Sequence, residues 1–105
     1  MASDTIRVRA RMQDGVTDVR ALINHPMETG QRKDGKTGEL IPAHYIQEVV
    51  AEHKGNKVFT AIWGPAISRN PYLSFRFKGA SKGDTLKLSW VDNKGDSDST
   101  EAQVG

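Results

Sequence analysis

No cysteine occurs in the 105 residues. That excludes a disulfide, a thiolate nucleophile, an iron–sulfur cluster and a zinc site built on thiolates. Long apolar runs are missing too, and none approaches the roughly 18 residues of a membrane-crossing helix. The opening MASDTIRVRARM has no continuous apolar segment and does not read as a signal peptide. From composition alone, a soluble intracellular chain is expected, or one exported attached to a partner. Aromatic residues are few at 7%, yet three Phe, two Trp and two Tyr suffice for one small core. At this length a single domain, residues 1–105, is expected.

An excess of one charge is lacking as well. Fifteen Lys and Arg stand against thirteen Asp and Glu, a formal +2 that is too small to argue for nucleic acid. The distribution is less even. Between Arg69 and Lys87, the five cations Arg69, Arg76, Lys78, Lys82 and Lys87 face only Asp84. Such a stretch suits an anionic ligand or an acidic partner, although a solvated strand face is the commoner explanation.

What is present is the two-residue period of strands. In Thr5–Met12, Ile6, Val8, Ala10 and Met12 alternate with Arg7, Arg9 and Arg11, which predicts a half-buried strand with an arginine face. Asp14-Gly15 supplies a turn into Val16–Ile23, so these runs should form an antiparallel hairpin. Tyr45–His53 and Val58–Trp63, joined by Lys54-Gly55-Asn56, should form a second. Tyr72–Lys78 places Leu73, Phe75 and Phe77 on one face, and Thr85–Asp92 does the same with Leu86, Leu88 and Trp90. Ser99–Val104 can close as an edge strand. Seven short strands and no helical spacing predict an all-β, immunoglobulin-like antiparallel β-sandwich, with Trp63 or Trp90 at the core's centre. Residues 24–43 break the pattern, and a small ribbon is expected at residues 32–41 with Lys33 and Leu40 on its arms.

Candidate chemistry concentrates in His25–Asp34. His25 and Met27, with His44 in support, can be drawn as a Cu(I) site, because imidazole and thioether donors suit that soft ion. The commoner alternative has His25 hydrogen-bonding at a strand end and Met27 filling a gap. Glu28 with His44, or Asp92 with Asp96, can be nominated for acid–base work, but neither pair has a supporting motif. GxSxG, HExxH and GKS/T patterns are absent, so no catalytic residue, metal or cofactor is assigned. Phe75, Phe77 and Trp90 fall on apolar strand faces rather than among exposed cations, which argues against RNA stacking. The apolar content of Leu40–Ile46, Met27 and Pro71-Tyr72 is hard to hide in a small sandwich and points to a protein interface. Met27→Asp and Tyr72→Asp are expected to weaken partner binding without disturbing the fold.

Four strings give this reading a family. HPMETGQRKD (His25–Asp34), LIPAHYIQEV (Leu40–Val49), WGPAISRNPYLSFRFKG (Trp63–Gly79) and WVDNKGD (Trp90–Asp96) resemble the SoxZ family, the Z subunit of the carrier complex in Sox thiosulfate oxidation. The resemblance implies an immunoglobulin-like sandwich that pairs with the Y subunit as a heterodimer or heterotetramer. In that family the Y subunit carries sulfur intermediates on a cysteine at the end of a flexible arm. It also implies a non-catalytic role, transient docking to other Sox enzymes, and a periplasmic address reached by export with the signal-bearing Y subunit. Neither nucleic acid nor a membrane is an expected partner, and homo-oligomerisation is open to the isolated chain. His25, Met27, Glu28, Arg32, Lys33 and Tyr72 match the family's strings and are the expected interface residues.

Overall fold

The computed structural model describes residues 4–105, so Met1–Ser3 of the opening segment lie outside the described residues. Two hairpins set the architecture. Strand β1 (Ile6–Gln13) turns through Asp14-Gly15 into β2 (Val16–Ile23), and β3 (Ile46–His53) turns through Lys54-Gly55 into β4 (Asn56–Ile62). Both turn residues of each hairpin have positive φ, 55° and 78° in the first and 53° and 80° in the second. That sign twists the turn with the strands, and glycine supplies it without a Cβ clash.

Strand β5 (Tyr72–Lys78) returns to pair with β2, which completes a three-stranded antiparallel sheet of order β1-β2-β5. Strands β6 (Thr85–Asp92) and β7 (Ser97–Gln103) extend the second hairpin into a four-stranded sheet of order β4-β3-β6-β7. The sheets pack as the expected sandwich. One side is stitched by backbone: Ala10 bridges Val104 in parallel, and Gly105 N–H donates to the Ala10 carbonyl at 3.0 Å. On the other side, the Phe59 and Phe75 rings stack at 4.3 Å between β4 and β5.

Alternation fills the core almost as expected. Val19, Ile23, Ile46, Val49, Ala51, Leu86 and Leu88 are fully enclosed, and Trp90, not the half-buried Trp63, is the tryptophan inside. Strand β3 departs from strict alternation. Its pairing with β6 slips between Ile46 and Glu48, so Ile46, Val49, Ala51 and His53 all turn inward. A bulge shifts the two-residue phase by one, which pattern counting cannot detect. The 32–41 ribbon forms as expected, with Lys33 bridged to Leu40.

One core position is mismatched. Thr17 is 1% exposed and its hydroxyl has no hydrogen-bond partner. Thr17→Val keeps the branched shape and removes the unsatisfied oxygen, so it should stabilise the fold by about 1 kcal/mol. The check is urea unfolding: a higher midpoint with an unchanged slope is expected.

Candidate functional site: a buried His–Asp–His cluster

At one end of the sandwich the inward alternation of β6 runs Leu86, Leu88, Trp90 and then Asp92. A carboxylate in core register needs several donors, and it has them. His25 Nε2 lies 3.1 Å and His44 Nε2 2.7 Å from Asp92 Oδ2. The other oxygen, Oδ1, accepts from the Lys94 and Asp96 backbone N–H groups, each at 2.9 Å. Burial alone raises the pKa of Asp92, and it is the largest single influence. The bonds from His25, His44, Asp96 and Lys94 together outweigh it and hold the carboxyl below its ordinary value.

The histidines arrive from separate loops. His25 follows β2 and is locked by Asn70, whose side-chain oxygen accepts from His25 N–H at 3.0 Å and whose own N–H donates to the His25 carbonyl at 2.9 Å. Asn70 holds a left-handed φ of 52°, which asparagine tolerates better than most residues. His44 is set by a two-bond backbone bridge to Glu28. Gly30 sits under that bridge with φ +86°, where a Cβ would come within 3.1 Å of Ala43 Cβ. The rings of His25 and His44 meet edge to face at 4.5 Å, and Trp90 closes on His25 at 5.2 Å.

Hydrogen-bond direction settles what this cluster does. Met27 N–H donates to His25 Nδ1 at 3.1 Å, so His25 is neutral with its proton on Nε2, facing Asp92. His25, His44 and Asp92 offer ligand atoms within 4.8 Å of one another. A metal on His25 Nε2, however, would move the ring proton to Nδ1, against the Met27 N–H. Met27 is no better placed: its sulfur accepts from Ile46 N–H at 3.3 Å inside the core. The Cu(I) arrangement of His25 and Met27 therefore does not fit this geometry, and the cluster acts as a clamp between two loops and β6. A second such contact secures the opposite end, where His53 bonds Asp84 at 2.8 Å and, as the first cause, holds its carboxyl below the usual range.

The six sequence-predicted interface residues fall into three settings. His25 and Met27 are buried, at 3% and 5% exposure, so their side chains shape the loop from beneath. Met27→Asp would put a charge in the core, and the expectation that it spares the fold does not hold. Glu28 and Arg32 form a surface pair at 2.6 Å, which lowers the Glu28 pKa, and Lys33 stands on the ribbon. Tyr72 lies on the three-stranded sheet, 60% exposed and opposite Leu22. Asp92 and His44 had each been paired with another residue from sequence. The inward register of Asp92 was the signal that joins them.

Asp92→Asn should cost about 3 kcal/mol, because the amide has one accepting oxygen, so either the two imidazole donors or the two backbone N–H groups must face its NH2. Since folding depresses the Asp92 pKa, its contribution is complete above the ordinary carboxylate value of about 3.9 and fades as pH falls through the lower folded value. Denaturant titrations between about pH 2 and pH 6 should show that acid loss in the parent chain and a flatter profile in the variant.

Comparison with known proteins agrees with this architecture. No curated protein matches the chain. Among solved structures, the reduced superoxide reductase (neelaredoxin) of Archaeoglobus fulgidus superposes with a TM-score of 0.62 at 18% identity, covering 93% of this chain and 86% of that one. The superoxide reductase (neelaredoxin) of Ignicoccus hospitalis gives 0.59 at 17%, covering 96% and 80%. Identities this low establish a shared sandwich fold and nothing about chemistry. The sequence model of the sulphur oxidation protein SoxZ matches residues 6–103, from the first residue of β1 to the last of β7, and the chain belongs to the SoxZ family.

Proposed function

We propose that this chain is the non-catalytic subunit of the Sox sulfur-carrier complex, pairing with the cysteine-bearing Y subunit and helping to present it to the other Sox enzymes. The carrying observation is the family match across all seven strands. The closed hydrogen bonding of the His–Asp–His cluster agrees with it. Both Asp92 oxygens and both His25 nitrogens are committed within the chain, which suits a scaffold better than a reaction centre. A periplasmic location, reached by export with the Y subunit, follows from the same reading.

The interface is assigned to the loop that the clamp holds and to the sheet end beside it. Leu40 on the ribbon is 59% exposed and Tyr72 60%, both large apolar surfaces for a free chain. Arg32, Lys33 and Glu28 supply polar contacts around them, while His25 and Met27 act by fixing the loop's path. Coexpression with the Y subunit should give a complex with one Z per Y on size exclusion. Tyr72→Asp should weaken that complex at least about tenfold, because a charge is left unpaired in a desolvated contact. The melting temperature of the isolated variant should stay within about 2 °C of the parent. Separate elution of the parent subunits would defeat the reading.

A further inference from the structure

The outward face of the three-stranded sheet is unusual in charge. The register places Arg11, Asp18 and Arg76 in one row across β1, β2 and β5, and Arg9, Arg20 and Ser74 in the next. Arg7 and Lys78 stand at opposite ends of the same face, so six cations surround one acid. All six cations are solvent-exposed. Among the described residues the one ion pair on this face is Arg20–Asp18, at 3.4 Å. Arg9 lies directly opposite Arg20, a like-charge pairing that disfavours the sheet. The outward face of the other sheet is mixed instead: Lys57, Glu52, Lys87 and Glu101 form one balanced row, with Glu48 four residues back along β3.

We infer that this arginine face is a docking surface for an acidic patch on a partner protein, distinct from the subunit interface. The inference rests on the carrier reading above and supplies the surface used in its transient encounters. Three features select a protein over a polyphosphate. Asp18 sits in the middle of the cations, where it repels a uniformly anionic strand but matches a pattern containing one cation. Leu22, 43% exposed, extends the face at one end as an apolar margin, where it adjoins Tyr72 of the subunit interface. Among the described residues the one aromatic ring on this face, Tyr72, stands at its end rather than between the cations, so no run of rings is there to stack bases. Guanidinium forks bind carboxylates in pairs, and five of the six cations are arginine. Strand spacing makes the face about 10 Å by 20 Å, a footprint for a short-lived contact steered by charge. A one-signed face on one sheet and a mixed face on the other would orient the approach.

The test uses the complex with the Y subunit and the triple variant Arg9→Gln, Arg11→Gln, Arg76→Gln. Heterodimer formation on size exclusion should be unchanged; its loss would make this face the subunit interface and overturn the inference. The second-order rate with which purified Sox enzymes act on the complex should fall about tenfold in the parent between about 20 mM and 200 mM salt. In the variant it should begin about tenfold lower and depend little on salt. Equal rates and equal salt slopes would overturn the inference. Should the parent form no complex with the Y subunit, the proposed function fails. The face is then decided on the isolated chain with a labelled glutamate-rich peptide of about 20 residues carrying one central lysine and a DNA duplex of about 20 base pairs. A tenfold loss of peptide affinity in the variant supports the inference; no such loss, or arginine-dependent binding of the duplex alone, overturns it.

Discussion

The carboxylate of Asp92 is the point on which one end of this molecule depends. An ionised group inside a small β-sandwich is tolerable only with donors on both oxygens, and Asp92 collects four. Hydrogen bonds to a charged group contribute about 1.5–3 kcal/mol each, enough in sum to offset a desolvation cost of several kcal/mol. The donors come from three stretches far apart in sequence: the end of β2, the approach to β3 and the β6–β7 turn. A single buried charge thus ties both sheets and the long loop to one place. Removing it would release the whole set, since neither histidine has a second acceptor positioned as well.

The consequence reaches the surface through Met27. Its N–H fixes the His25 tautomer, its sulfur accepts from Ile46, and its φ of 47° turns the chain toward the Glu28–His44 bridge. The ribbon carrying Arg32, Lys33 and Leu40 leaves from that bridge. Residues wholly inside the molecule therefore set the direction of a segment wholly outside it. This is why a histidine and a methionine two residues apart can look like a ligand pair and yet serve packing.

Most of the sandwich was legible in the sequence because alternation and turn chemistry are local. Asp14-Gly15 and Lys54-Gly55 announce their hairpins, and Ile6–Met12, Leu73–Phe77 and Leu86–Trp90 announce their inner faces. The inward turn of both Ile46 and Val49 was not legible, because a bulge moves the phase without marking the residues. The clamp was half legible. His25, His44, Asp92 and Asp96 were all singled out, but in separate pairs, since sequence distance hides a contact spanning 67 positions. Asp92 in phase with Trp90 carried the missing link. A charged residue that continues an apolar stripe must find its partners inside, and the nearby histidines were the donors to consider first.

The two outer faces divide the remaining labour. A His–Asp clamp at each end ties the sheets to their loops, so side chains on the outward faces answer to solvent and partners rather than to the core. On the three-stranded sheet, alternation forces Arg7, Arg9 and Arg11 outward once Ile6, Val8 and Ala10 are committed inward. It does not force them to be arginine, nor does it require Arg20 opposite Arg9. A solvated face with no further role would do better with mixed charges at those positions, as the Glu52–Lys87–Glu101 row of the other sheet has. Like charges held together at a cost to the sheet make sense where an external acid completes them. For a carrier subunit without a thiol, recognition is the contribution such a surface can make.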